Sequence, residues 1–165
     1  MIRVDGRLPP GPGIVVAFPH VSHLDGPILA ACLGERILWG VDPESMEREP
    51  WKTGLRLTCY LTGAEIAPLS PDRPFGYRAL ARRLGEGGKV GLFPEGGINR
   101  TWEAFLPFQP GAERLAHLCR VPIIPVRIMG MREWILSPAP AKKKRWLPRV
   151  CVEIMNSCTG SRTWS

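Results

Sequence analysis

Residues 18–25 (F-P-H-V-S-H-L-D) contain two side chains whose types suit proton transfer. On one continuous helix, residues five apart point about 140° away from each other, so His20 and Asp25 would not easily meet. They meet if His20 lies in a turn and Asp25 in the first turn of a helix. The carboxylate then holds one imidazole nitrogen as N–H and leaves the other free to accept a proton. We therefore predict that His20 is a general base and that Asp25 is its partner.

Two other residues of this cluster raise competing chemistries. Ser22 lacks the G-x-S-x-G setting that exposes a nucleophilic serine, so the pattern favours direct attack by a substrate hydroxyl over a covalent intermediate. His20 and His23 have the H-x-x-H spacing of zinc ligands, with Asp25 close by and Glu95 as a further ligand if its loop converges on them, which leaves a zinc hydrolase as an alternative. The cysteines do not join these histidines, however, and we predict no metal.

A second polar cluster, residues 93–100 (F-P-E-G-G-I-N-R), has the composition of an anion-binding loop. Backbone N–H groups beside Gly96 and Gly97 can approach an anion closely, and Arg100 adds a positive charge. We predict that Glu95, Gly96, Gly97 and Arg100 bind a phosphate-bearing substrate. The alternative is a turn whose glycines serve only geometry, with Glu95 solvated.

The elements that must position these clusters are indicated by short apolar runs and helical stripes. Apolar runs predict strands at residues 13–18, 64–69, 89–93, 121–128 and 148–155. Apolar spacing predicts helices at residues 25–38, 42–62 and 75–84, and around 112–119. Pro122 and Pro125 indicate that the strand containing them lies near an edge or is irregular.

This alternation predicts an α/β fold, with a largely parallel (mixed) sheet and helices packed on it. We see no linker long enough to divide the chain, and expect a single domain over residues 1–165, with a core at about 13–130 and a basic segment at 131–165. Because ligands gather at the carboxyl ends of strands in such sheets, the two polar clusters are expected to share one site.

Charge and cysteine content bear on location and partners. The net charge is +7, and residues 131–165 hold seven Lys or Arg against two Glu. The basic run at 142–145 precedes Trp146, a pattern that suits an anionic membrane surface, although a solvated loop is the alternative. No nucleic-acid recognition motif accompanies the charge, so we expect no nucleic-acid partner.

The five cysteines are odd in number and include no C-x-x-C, which indicates reduced, buried thiols in a cytosolic protein. No signal peptide is recognisable, and no stretch approaches the ~18 apolar residues of a spanning helix. We therefore expect a cytoplasmic protein that lies peripherally at the inner face of the membrane.

Taken in order, these segments resemble the glycerolipid acyltransferase family, which includes 1-acylglycerol-3-phosphate acyltransferases, and three of them match its motifs. His20-x4-Asp25 resembles its catalytic motif, and residues 93–96 (F-P-E-G) resemble the start of its F-P-E-G-T-R acceptor-binding motif. Residues 121–126 (V-P-I-I-P-V) resemble its final motif, and residues 63–69 lie where the second is expected. The residues in these motifs resemble more closely those of the acyltransferase half of bifunctional 2-acylglycerophosphoethanolamine acyltransferase/acyl-carrier-protein synthetase proteins.

The resemblance implies transfer of a fatty acyl group from a thioester, acyl-CoA or acyl-carrier protein, to a hydroxyl of a lysophospholipid or glycerol-phosphate-type acceptor, with no cofactor. Two departures concern acceptor binding. Gly97 and Ile98 stand where the family has Thr-Arg, so Arg100 is the substitute. Arg73 is a displaced candidate for the arginine of the second motif. The altered loop keeps one alternative open, a non-catalytic, membrane-associated binding module on the same scaffold.

Overall fold

The computed structural model describes residues 1–47, 51–70, 75–101 and 106–157, which form one α/β fold around a seven-stranded sheet. The strands, numbered in chain order, are β1 (Ile2–Asp5), β2 (Gly13–Phe18), β3 (Ile37–Val41), β4 (Glu65–Pro68), β5 (Lys89–Leu92), β6 (Ile123–Met129) and β7 (Val150–Ile154). The helices are α1 (Asp25–Cys32), α2 (Pro43–Glu47), α3 (Trp51–Thr62), α4 (Phe75–Gly85) and α5 (Gly111–Cys119).

The sheet has the order β1-β7-β6-β2-β5-β3-β4, and every neighbouring pair is parallel except β6 and β7. The predicted α/β class and the largely parallel, mixed sheet are thus confirmed. Strand β2 lies at the centre, between β5 and β6. Because β2 and β5 are parallel neighbours, the two polar clusters that follow them emerge at the same edge of the sheet.

The core has two layers, one on each face of the sheet. Residues of β2 alternate between them: Val15 belongs to the layer that contains Leu29 of α1, and Ile14 to the layer that contains Leu80 of α4 and Leu115 of α5. All of these side chains are fully buried. A strand covered on both faces must be apolar at every position, which explains the unbroken run in β2.

The predicted helix over residues 25–38 is wrong in its second half. Helix α1 ends at Cys32, Gly34 adopts a left-handed φ of +67°, and β3 follows between β4 and β5. Strand β3 was missed because a short, fully apolar run has no periodicity that separates a buried strand from a helix. The predicted helix over 42–62 is likewise two helices, α2 and α3.

Two expectations about strand position also need correction. Strand β1, at the sheet edge beside β7, was missed because its residues are mostly exposed and flanked by polar, proline-rich sequence. Strand β6 is internal, although Pro125 argued for an edge. The carbonyl of Pro125 accepts from Met155 N, so the ring nitrogen of Pro125 also faces the β7 side. Its counterpart there is Met155, one residue past the end of β7. The missing N–H therefore removes no bond from the paired stretch of β7.

The described cysteines are free thiols, but they are only partly buried, so the expectation of buried thiols is wrong for Cys32, Cys59, Cys119 and Cys151. Cys158 lies outside the described residues. Within the described part of the chain, none of the helices combines the length and the apolar character needed to cross a bilayer.

Candidate active site

His20 and Asp25 lie side by side just beyond the end of β2. His20 Nδ1 is 3.0 Å from Asp25 Oδ2, because His20 lies in the turn after β2 and Asp25 begins α1. The contact expected from their spacing is present. A carboxylate accepts hydrogen bonds and cannot donate them, so Nδ1 carries the hydrogen and Nε2 is left as the acceptor. The His20 side chain is 17% exposed, and that of Asp25 is fully buried.

Asp25 also fixes the backbone of the turn. Its Oδ2 accepts from the N–H groups of Val21 at 2.7 Å and Ser22 at 2.9 Å, in addition to the imidazole. Its Oδ1 is buried and has no hydrogen-bond partner among the described residues. Ser22 is buried, and its Oγ accepts from Leu24 N at 3.2 Å. This hydroxyl therefore supports the turn.

The imidazole of His20 lies on two stacked aromatic rings. The His20 and Phe93 ring centroids are 4.0 Å apart with 19° between the planes, and the Phe93 and Trp39 centroids are 5.7 Å apart. Gly91 makes room for this column, because a Cβ at that position would lie 2.4 Å from the Trp39 ring. An aromatic face attracts a cation, so Phe93 is placed to stabilise the imidazolium that proton transfer would form.

Glu95 binds the backbone of His20. Its Oε1 accepts from His20 N at 2.8 Å, and its Oε2 is buried without a partner among the described residues. Burial raises the pKa of the Glu95 carboxyl, and the charge of Asp25 acts in the same direction; the hydrogen bond from His20 N–H and the positive charge of His20, when its ring is protonated, oppose the rise in pKa. Substrate binding by Glu95 stays a prediction; among the described residues, the hydrogen bond that its carboxylate accepts from His20 N holds the general-base candidate in place.

The loop that follows Glu95 curves back to His20. Gly96 has a φ of +69°, which favours glycine, and its N–H donates to the carbonyl of Phe93 at 3.2 Å. Gly97 is exposed, and its N–H makes no backbone hydrogen bond within the described part of the chain. Asn99 N donates to the carbonyl of His20 at 2.7 Å.

Arg100 is exposed, and it follows Asn99 directly, so its backbone lies beside the His20 turn. Of the predicted substrate-binding residues, Gly96 and Gly97 lie with it in this loop. Arg73 lies outside the described residues.

Sequence reasoning missed Ser137. Its hydroxyl is buried and donates to the carbonyl of Val21 at 2.7 Å, so it holds the His20 turn from the far end of the chain. Lys144 secures this contact in turn, since its Nζ donates to the carbonyls of Arg132, Ser137 and Ala139 at 3.1, 2.8 and 2.6 Å. No motif marks either residue, because a serine in a loop and a lysine in a basic run are ordinary surface patterns.

The alternative of a zinc site receives no geometric support. No group of three His, Cys, Asp or Glu side chains that could hold a metal ion occurs among residues 1–47, 51–70, 75–101 and 106–157. Asp25 Oδ2 is already occupied by three N–H donors. His23, the second histidine of the H-x-x-H spacing, is half-buried.

Comparison with known proteins identifies the family and the fold. The family described as Acyltransferase matches residues 1–129. Among solved structures, the chain is similar to the 1-acyl-sn-glycerophosphate (LPA) acyltransferase PlsC from Thermotoga maritima, with 21% sequence identity and a TM-score of 0.66. The likeness covers 96% of this chain and 61% of that protein, so the chain spans about three-fifths of its relative's length. At this identity the likeness concerns the fold.

Proposed function

The chain belongs to the acyltransferase family, and from this premise we propose that it moves a fatty acyl group from a thioester donor to a hydroxyl of a lysophospholipid or glycerol-phosphate-type acceptor. The observation that carries the proposal is the contact of His20 Nδ1 with Asp25 Oδ2, which leaves Nε2 ready to accept a proton. The site opens at the carboxyl edge of the sheet, next to the loop at 95–100.

The reaction follows from the position of Nε2. As the acceptor hydroxyl attacks the thioester carbonyl carbon, its proton passes to His20 Nε2, and the carbonyl oxygen becomes an oxyanion. When the oxyanion collapses, the C–S bond breaks and the thiolate takes the proton from the imidazolium, which yields an ester and a free thiol. Asp25 and Phe93 stabilise the imidazolium between the two steps. Proton transfer of this kind contributes ~10²–10⁴-fold in rate.

A donor for the oxyanion is expected near the start of α1. The N–H groups of Val21 and Ser22 are unsuitable, because Asp25 already accepts from both. The N–H of Gly26 makes no backbone hydrogen bond among the described residues. Gly26 lies against the Phe93 ring, since a Cβ added to Gly26 would be 3.8 Å from a ring carbon of Phe93. We assign it the role of oxyanion donor.

The acceptor phosphate is proposed to bind between the N–H of Gly97 and the guanidinium of Arg100, both exposed beside the His20 turn. Glu95 contributes by holding His20, and Gly96 by turning the loop. The activated carbonyl comes from acyl-CoA or acyl-carrier protein, and no cofactor takes part. Since both the acceptor and the acyl chain belong to lipids, we place the protein in the cytoplasm, peripherally at the inner face of the membrane.

Thiol release from a long-chain acyl-CoA tests this proposal. We expect release that depends on a lysophospholipid, with lysophosphatidic acid and lysophosphatidylethanolamine compared as acceptors, and a fall of ~10²–10⁴-fold in His20→Ala. Arg100→Ala is expected to raise KM for the acceptor with little change in kcat. Equal release above background by the parent and His20→Ala would end the catalytic assignment of His20. Release at the background rate by both would instead support the binding-module alternative.

A further inference from the structure

The segment at 130–149, which joins β6 to β7, brings two apolar pairs together. At Trp134 and Arg145 two parts of this segment run parallel, because Arg145 N donates to the carbonyl of Glu133 at 2.7 Å and Ile135 N to that of Arg145 at 2.9 Å. The chain carries large apolar residues immediately beyond this bridge on both parts. We call these four residues the apolar tip: Ile135, Leu136, Trp146 and Leu147.

The apolar tip has no role in the core. Its side chains are 41%, 56%, 76% and 84% exposed, in chain order. Ser137 N donates to the carbonyl of Trp134 at 3.0 Å, so Ile135 and Leu136 occupy the centre of a tight turn. Such positions normally carry Gly, Pro, Asn, Asp or Ser, which makes two large apolar residues there costly in water. A partner that covers them would remove this cost.

Charge beside the apolar tip indicates the partner. Of the four consecutive cations at 142–145, Lys144 is engaged with three carbonyls and Arg145 pairs with Glu133 at 3.2 Å. Lys142 and Lys143 remain exposed, and within the described residues neither side chain makes a hydrogen bond or an ion pair. Apolar and tryptophan side chains flanked by cations match the headgroup region of an anionic bilayer.

The apolar tip is fixed beside the site. Strand β6 is parallel to β2, so the segment at 130–149 leaves the sheet at the edge that carries His20. The bond from Ser137 Oγ to the carbonyl of Val21 then ties the turn that holds Ile135 and Leu136 to the His20 turn. The apolar tip also lies beyond residue 129, where the match to the family ends.

We propose that the apolar tip docks this protein on an anionic lipid surface, with Lys142 and Lys143 against lipid phosphates. The inference rests on the proposed function, because it identifies the surface from which the acceptor reaches His20. A second copy of the chain fits less well, since a two-fold contact through the same patch would bring the lysines of both copies together.

Partition of the full chain onto vesicles tests the proposal. Vesicles of phosphatidylcholine alone are compared with vesicles that also contain phosphatidylglycerol. We expect Trp146→Ala/Leu147→Ala to weaken partition at least tenfold. Lys142→Ser/Lys143→Ser should weaken it about 30-fold on the anionic vesicles only, and high salt should remove that difference. Tyr60→Ala/Leu61→Ala, on the exposed face of α3, is the matched control and should bind like the parent.

Three results would overturn the proposal. The first is unchanged partition of the Trp146 and Leu147 variant, and the second is an equal loss of partition in the α3 control. The third is a parent protein that is dimeric and a tip variant that is monomeric, with no binding of either protein to vesicles. Thiol release with a water-soluble, short-chain lysophospholipid separates the proposal from the proposed function. The parent and the tip variant should act equally on this acceptor. Absence of release by the parent would refute the proposed function alone, because partition is measured without an acceptor.

Discussion

Asp25 has two roles: its negative charge faces the His20 ring, and its Oδ2 accepts the hydrogen bonds that hold the turn. Two substitutions separate these roles. In Asp25→Asn, the amide oxygen at the position of Oδ2 still accepts from His20, Val21 and Ser22, so the imidazole tautomer is kept and only the charge is lost. A hydrogen bond to a charged group contributes ~1.5–3 kcal/mol. Since ~1.4 kcal/mol is tenfold in rate, kcat should fall about 10–150-fold, which is less than in His20→Ala.

Asp25→Ala removes the acceptor altogether. The buried N–H groups of Val21 and Ser22 are left unpaired at ~1–3 kcal/mol each, a loss of roughly 2–6 kcal/mol against a typical stability of ~5–15 kcal/mol. Urea unfolding should therefore rank the parent above Asp25→Asn and Asp25→Asn well above Asp25→Ala, while thiol release gives kcat for the folded variants. Full activity in Asp25→Asn, or equal stability of the two variants, would refute the reasoning.

Three further predictions concern the support of the His20 turn. Glu95→Gln keeps an acceptor for His20 N–H. Because burial raises the folded-state pKa of Glu95 above its usual 4.5, the free energy of unfolding of the parent falls as pH rises through that raised pKa. Urea unfolding between about pH 4 and pH 8 should show a smaller fall in the variant. A parallel pH dependence in both proteins would count against a raised pKa. Ser137→Ala removes the bond to the Val21 carbonyl and should cost ~1–3 kcal/mol and lower kcat several-fold with little change in donor KM; a rise in KM alone would contradict a positioning role. Lys144→Met should lower the free energy of unfolding by at least ~1 kcal/mol, because it leaves three carbonyls without their donor. The matched Lys143→Met should change the free energy of unfolding by no more than ~0.5 kcal/mol. Equal effects would remove the distinction between the two lysines.

Much of the site was accessible from the sequence because it rests on local patterns. Strand β2 is apolar throughout and ends at proline, and the five-residue spacing of His20 and Asp25 has few geometries that bring an imidazole to a carboxylate. The parallel pairing of β2 and β5, which brings the loop at 95–100 to His20, follows from the alternation of strands and helices.

Contacts between distant parts of the chain could not be predicted in this way. Glu95 belongs to a segment with the composition of a phosphate-binding loop, yet its carboxylate is buried and accepts from the backbone N–H of His20, 75 positions away. Ser137 and Val21 are 116 positions apart, and only the parallel course of β2 and β6 brings them together. The basic run at 142–145 looked uniform, although only the ammonium group of Lys144, among the described residues, donates to three backbone carbonyls of the loop.

The central claim is that the imidazole of His20, held by Asp25, takes the proton of the acceptor hydroxyl. The most direct measurement is kcat for formation of the acylated lipid, quantified together with the released thiol, in the parent, His20→Ala and His23→Ala. The account predicts one thiol per ester in the parent, a loss of ~10²–10⁴-fold in His20→Ala and near-parent turnover in His23→Ala. Undiminished ester formation by His20→Ala would contradict it.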